Sequence, residues 1–269
     1  MTEEPILLGA VAYDPKVVTI WEGIREHFRN CGAPLDVVLF SDYERQVKSL
    51  LAGHIDIAWN TPLAHVQVQQ QTGGRSIPLG MRDTDQDFHS RILVRRNAGI
   101  RQLKDLEGKW IAVGSRDSTQ ANILPLYFLK QQGVDLERVG VVAFDTDIGK
   151  HGDTGTSELE VLRALHDGRT QAGAVGNSIW LAEQAAGRID LNVIESLWTT
   201  PPFDHCMFDA RPGLDAAKIE RFKQALFAMR WENPAHRRLL ILEGLKEWKP
   251  AREEGYESLR AALAARTDR

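Results

Sequence analysis

The stretch "LKDLEGKWIAVGSRDSTQANILPLYFLKQQGV", Leu103 to Val134, decides how this chain is read. A polar turn over Lys104–Lys109 leads into an apolar strand, Trp110–Gly114. A second polar turn follows, and then a helix that carries Pro125 early and ends at Gly133-Val134. Strand, turn and helix in that order make one βα unit. The helix start leaves backbone N–H groups unpaired, and Ser118 and Thr119 add hydroxyls beside them, a natural seat for an anion. A close-fitting phosphate loop wants glycine after such hydroxyls, whereas this chain has Gln120 and Ala121.

The same alternation extends in both directions. Apolar strands are predicted at Ile6–Ala12, Leu35–Phe40 and Ile55–Trp59, with amphipathic helices at Val17–Phe28 and Tyr43–Ala52. Pro62 suits the first turn of a third helix running to about Gln70. Three βα units in succession predict an α/β fold with a largely parallel sheet and helices on both faces. Further strands are expected at His89–Val94, Val141–Phe144 and Gln171–Val175, with a helix at Ser157–Asp167. Residues from Ala216 to about Arg230 and Pro234–Leu245 read as a helical tail. "LLAGHIDIAWNTPLAH" (50–65) and "ALHDGRTQAGAVGNSIWLAE" (164–183) share a layout of helix, glycine, polar residue, short apolar strand and polar turn. That echo suggests two lobes of similar construction, the second inserted into the first.

Composition narrows the function classes. The 269 residues carry a net charge of −4, which argues against a nucleic-acid partner, since a phosphate backbone demands a basic face. No run approaches the length of a membrane helix, so direct membrane insertion is not expected. Cys31 and Cys206 read as two free thiols, and no set of residues has metal-ligand spacing or implies a cofactor. The N-terminus, Met-Thr-Glu-Glu-Pro, is acidic and lacks an apolar core, so it does not read as a secretory signal. The location expected is periplasmic if a leader precedes this sequence, and cytoplasmic otherwise.

"DIAWNTPLAHVQ", "LVRRNAGIRQLKDLEGKWIAVGSRDSTQANILPLYFLKQQGVD" and the helix–glycine–strand unit at 165–175 resemble the phosphate/phosphite/phosphonate-binding proteins. Those are solute receptors of ABC importers with the type II periplasmic-binding fold, and the resemblance covers roughly residues 6 to 230. It implies a two-lobed clamshell, with lobe 1 at 1–90 and 200–269 and lobe 2 at 91–199. Two crossing segments, near His89–Ile92 and Trp198–Phe208, would form the hinge. The function it implies is capture of a small anionic ligand, a phosphonate- or phosphate-like oxyanion or ester, for the membrane subunits of an ABC transporter. Members typically read Ser-Thr-Ser-Gly where this chain has Ser118-Thr119-Gln120-Ala121, a change that predicts a larger or differently shaped ligand.

The ligand-binding residues expected are Tyr13, Asn60, Thr61, His89, Ser115, Ser118, Thr119, Gln120, His151, Asp153, Asn177 and His205. Asn60, Thr61, Ser118 and Thr119 sit where helices start, and each also reads as a simple N-cap. "DIGKHGDTGTSELEVLRAL" packs His151, Asp153 and Thr154 before a helix start, and Ser157 to Glu160 matches a capping box. His151 beside Asp153 also has the makings of a carboxylate-oriented base. Two other readings therefore stand beside the receptor: a cytoplasmic enzyme on the same fold using His151 or His89 as acid or base, and a soluble ligand sensor. Trp59, Trp180 and Trp198 are candidates for pocket walls and, more ordinarily, for core.

Overall fold

A computed structural model describes residues 4–267. The chain divides into two compact units: unit 1 holds residues 1–87 and 204–256, and unit 2 holds 88–203 and 257–269.

Unit 1 is built on a six-stranded sheet. Its strands are β1 (Ile6–Val11), β2 (Leu35–Phe40), β3 (Ile57–Asn60), β4 (Ile77–Arg82), β10 (Met207–Ala210) and β11 (Trp248–Pro250), in the order β11-β4-β10-β3-β1-β2. β1 pairs parallel with β2 and β3, whereas β10 runs antiparallel to both β3 and β4. The sheet is therefore mixed rather than largely parallel. Strand alternation makes it two-sided. Ile6, Leu8 and Ala10 of β1 face one core with α1 (Lys16–Asn30) and α7 (Ala216–Phe227), together with Leu240 of α8 (Pro234–Glu243). Leu7 and Val11 face another core with α2 (Tyr43–Leu51) and α3 (Pro62–Thr72). Trp59 lies in the first of these, 4.4 Å from the Phe208 ring, so it is core.

Unit 2 repeats the plan with five strands. These are β5 (Ser90–Arg95), β6 (Trp110–Val113), β7 (Gly140–Ala143), β8 (Ala172–Gly176) and β9 (Ile194–Thr199), in the order β7-β6-β8-β5-β9. β6 is parallel to β7 and β8, and β5 is antiparallel to β8 and β9. α4 (Leu124–Gln131), α5 (Thr156–His166) and α6 (Asn177–Ala185) accompany it. Ile111 and Val113 point into one core and Ala112 into the other, where Trp180 is buried.

The internal echo has a structural counterpart. Gly53 and Gly168 both adopt φ of 74°, in the left-handed region that glycine reaches without strain. Asp56 Oδ2 then accepts from Leu7 N–H at the start of β1 (3.2 Å), and Gln171 Oε1 accepts from Trp110 N–H at the start of β6 (3.0 Å). Both polar residues tie the same edge of equivalent strands. The last helix, α9 (Glu257–Thr267), packs on α4 of unit 2, although the sequence division placed 200–269 entirely in lobe 1. Leu259 and Ala262 supply its buried face.

Candidate functional site

In unit 2 the polar loops gather at the C-terminal ends of β6 and β8. The segment after β6 does not enter its helix directly. Thr119–Ile123 forms a wide helical turn in which Ile123 N–H reaches back to the Ser118 carbonyl (2.9 Å), and α4 continues from Leu124. Ser118 caps it, its Oγ accepting from Ala121 N–H (3.2 Å). Such wide turns free carbonyls from the helical ladder and recur at functional sites. Here the Ala121 carbonyl turns to Gly114 N–H (2.9 Å), and Asn122 Nδ2 donates to the Gly114 carbonyl (2.9 Å).

That clasp explains the missing glycine. A Cβ on Gly114 would lie 2.6 Å from the Ala121 methyl, so the glycine is supplied by the strand end and the turn carries alanine. The loop before α5 closes the other side. A Cβ on Gly152 (φ 87°) would meet Ser118 Oγ at 2.6 Å and Gln120 Nε2 at 2.8 Å. Its neighbour His151 is buried and adopts φ of 53°, uncommon for a residue with a side chain. Asp153 is half-buried in the same loop.

Within this cluster Ser115 Oγ, Thr119 Oγ1, Gln120 Oε1 and Ser157 Oγ are buried with no hydrogen-bond partner. Buried polar atoms are nearly always paired, so four such atoms from neighbouring loops mark a place built to receive a polar group. Ser157 is the second residue of α5, whose N-cap is Gly155. The expected Ser157–Glu160 capping box is therefore not formed: Ser157 N–H donates to Asp147 Oδ2 (2.7 Å), and Glu160 pairs with Arg163.

Glu158, which carried no role in the sequence reading, is 2 % exposed beside these hydroxyls. Oε1 accepts from Gly176 N–H (2.5 Å), and Oε2 lies 3.4 Å from Gln120 Nε2. Burial pushes its carboxyl up to about 7, helped by the charges of Asp147 and Asp153 and opposed by the Gly176 and Gln120 hydrogen bonds. No local signal marks it, because a glutamate in the first turn of a helix ordinarily faces water.

Two more expected residues, His89 and Asn177, belong to unit 2. His89 is half-buried, and its Nδ1 lies 2.8 Å from the Thr200 carbonyl, so Nδ1 carries the proton. Asn177 begins α6, its N–H donating to the His89 carbonyl (2.9 Å) and its Oδ1 accepting from Arg91 Nε (2.8 Å). Ser90 Oγ donates to the Gln120 carbonyl (2.5 Å), holding the wide turn against β5.

In unit 1 the expected residues divide. Thr61 is the cap of α3, its Oγ1 accepting from Ala64 N–H (3.3 Å). Asn60 is fully buried in a side-chain network: Oδ1 accepts from Gln46 Nε2 (2.9 Å), and Nδ2 donates to Asp209 Oδ2 (2.8 Å). Asp209 Oδ1 lies 2.9 Å from His65 Nδ1, so Asn60 is locked by groups from α2, α3 and β10. Tyr13 follows β1, half-buried, with Lys16 Nζ 5.7 Å from its ring centroid.

His205 is buried, with Nδ1 3.1 Å from Cys206 Sγ and 3.4 Å from Asp85 Oδ1. Asp85, His205 and Cys206 could share a cation by proximity alone. However, the Arg82 guanidinium already binds that carboxylate through Nε (2.7 Å) and Nη2 (2.8 Å). Burial would raise the Asp85 carboxyl, but Arg82 and His205 outweigh it and hold it at about 2. A fixed cation thus fills the role a metal would take. Cys206 is buried and Cys31 exposed, and neither is in a disulfide.

With this geometry in place, the comparisons with known proteins are informative. The family described as "ABC transporter, phosphonate, periplasmic substrate-binding protein" matches residues 10–256. A relative from Prochlorococcus marinus, named "Probable ABC transporter phosphite binding protein PhnD1", is 24% identical over 228 residues, covering 81% of this chain and 74% of the relative. The structure of PhnD1 from Prochlorococcus marinus with methylphosphonate superposes with a TM-score of 0.76 at 20% identity, covering 98% of each chain. XAC2383 from Xanthomonas citri, bound to ATP, gives 0.78 at 20% identity over 99% of each. The last two establish likeness of fold, that of two-lobed α/β binding proteins. The match across residues 10–256 carries the assignment: this chain belongs to the periplasmic substrate-binding proteins of phosphonate ABC transporters.

Proposed function

We propose that the protein captures a small phosphorus oxyanion, such as phosphite or a short alkylphosphonate, and delivers it in the periplasm to the membrane subunits of an ABC importer. The observation that carries the ligand class is the cluster of unpartnered buried hydroxyls on Ser115, Thr119 and Ser157 at the ends of β6 and β8. Hydroxyls can donate to an oxyanion without a full counter-charge, as the first-turn N–H groups of a helix do. Family membership supports the same ligand class. On this reading Ser115, Ser118, Thr119 and Gln120 contact the ligand from unit 2, with His89, His151, Asp153 and Asn177 nearby. Tyr13, Asn60, Thr61 and His205 are the corresponding candidates of unit 1, with Asn60 acting through its fixed position.

Thermal unfolding with a panel of phosphite, methylphosphonate, phosphate and sulfate tests the reading. A ligand at a hundred times its dissociation constant should stabilise the protein by about 2.7 kcal/mol. Thr119→Ala should weaken the ligand that binds by roughly 10- to 100-fold, the worth of a hydrogen bond to a charged group, and His151→Ala should weaken it as well. No shift with any oxyanion, in a protein that remains folded, would sink the proposal.

A further inference from the structure

We propose that Glu158 is a ligand-contacting residue that shares one proton with the bound oxyanion, so that the receptor captures the anion and a proton as a unit. The inference rests on the anion-receptor reading above and deepens it.

Geometry compels the proton. Glu158 projects from the first turn of α5 into the cluster where Ser157 Oγ and Thr119 Oγ1 stand unpartnered and buried. Ser157 Oγ lies 3.1 Å from where a Cβ on Gly114 would be, so it points at the end of β6. Gln120 links the carboxylate to the wide turn, and Gly176 links it to β8. An oxyanion seated on those hydroxyls would lie beside a buried carboxyl. Two unscreened negative charges at that range repel strongly in a low-dielectric interior, unless a proton lies between them.

Among the described residues, the hydrogen-bond partners of the Glu158 carboxylate are neutral, Gly176 N–H and the Gln120 amide. Asp147 is buried and accepts from Ser157 N–H and from the Thr154 hydroxyl. Asp153, in the loop before α5, adds negative charge. Asp117, just before the wide turn, accepts from Gly149 N–H, and Arg116 is paired with Asp145. On β5, Arg91 is engaged by Asn177 and Thr199. Lys150 and His151 are the other titratable groups of the loop, and neither is a hydrogen-bond partner of the Glu158 carboxylate. Oε1 already holds the Gly176 N–H, so Oε2 is the oxygen with room for the proton. A ligand bearing a P–OH brings the proton and donates it to Oε2. A fully ionised ligand binds only when Glu158 carries the proton and donates it.

Calorimetric titration of methylphosphonate in two buffers of different ionisation enthalpy counts the protons. At about pH 8.5, where both carboxyl and ligand are mostly ionised, the wild type should take up about one proton per ligand, with affinity falling about tenfold for each further pH unit. Glu158→Gln keeps the acceptor for Gly176 N–H and should bind with no proton uptake and no such slope. Binding by the wild type without proton uptake overturns the proposal, and this measurement needs no variant. Equal uptake in Glu158→Gln also overturns it, by placing the proton on the ligand or on His151. A wild type that binds neither methylphosphonate, phosphite nor phosphate overturns the anion-receptor reading itself.

Discussion

Glu158 and Asp209 show how a buried carboxyl group can be held at two different costs. Asp209 is buried but fully engaged, with His65 and Asn60 both directed at its oxygens. Removing it as Asp209→Ala strands an imidazole and an amide in the interior of unit 1. We expect a loss of about 3–5 kcal/mol in urea unfolding, with Asp209→Asn losing less because one acceptor survives. Glu158 has no cation among its hydrogen-bond partners, and burial raises its carboxyl from 4.5 to about 7. The folded state therefore binds more protons than the unfolded chain between those values, and stability falls as pH rises through that window. Glu158→Gln should stabilise the ligand-free protein by about 2–3 kcal/mol above pH 7 and leave it nearly unchanged below pH 4.5, read from denaturation at the two extremes.

At the scale of the element, the wide turn Thr119–Ile123 is the decisive piece. It exists because the Ala121 carbonyl and the Asn122 amide both grip Gly114, one residue past β6. Gly114→Ala would place a methyl 2.6 Å from that of Ala121, and the strand end and turn would have to part. Overpacking of this kind costs about 1–3 kcal/mol, and it should also weaken oxyanion binding because Thr119 moves with the turn. Ser118→Ala removes only a cap, for about 1 kcal/mol. Comparing the two by denaturation and by titration separates loss of a cap from loss of the turn's shape. The matched pair Asp56 and Gln171 belongs to this scale as well. Each ties its own loop to the start of the neighbouring parallel strand and helps hold the register there.

At the scale of the whole chain, the course between units matters more than the count of strands. The chain passes from one unit to the other near residues 87 and 203, and again at 256, where α9 joins unit 2. Arg266 on α9 donates from Nη2 to Asn122 Oδ1 (3.0 Å) and from Nη1 to the Arg116 carbonyl (3.2 Å). It thereby orients the amide that holds Gly114. Ending the chain after Tyr256 should uncover the surface under Leu259 and Ala262 and cost unit 2 about 2–4 kcal/mol. Hydrogen exchange should report the loosening at residues 114–123 rather than in unit 1. Equal protection there with and without α9 would refute that dependence.

Most parallel βα units were legible because their signals are local: an apolar run, a turn with glycine or hydroxyls, and an amphipathic helix. Leu35–Phe40 and the start of α3 at Pro62 fall where the pattern places them. The antiparallel strands were not legible in the same way. Met207–Ala210 is four residues, all buried, with an aspartate among them, and it becomes a strand only by pairing with β3 and β4 far back in the chain. The hydroxyls of the Ser118–Thr119 turn could be read because a helix start advertises its unpaired N–H groups. Glu158 could not, because a glutamate in a first helical turn ordinarily faces water, and only β8 and the wide turn enclose it. By itself the sequence determined the α/β class, the doubled construction and the hydroxyl-bearing turn, since each depends on neighbours within a few residues. Tertiary structure alone decided which strands run antiparallel, why Gly114 rather than residue 121 is the glycine, and that a carboxyl is buried beside the hydroxyls. Those outcomes are set by contacts between distant segments, whose burial and desolvation no local pattern encodes.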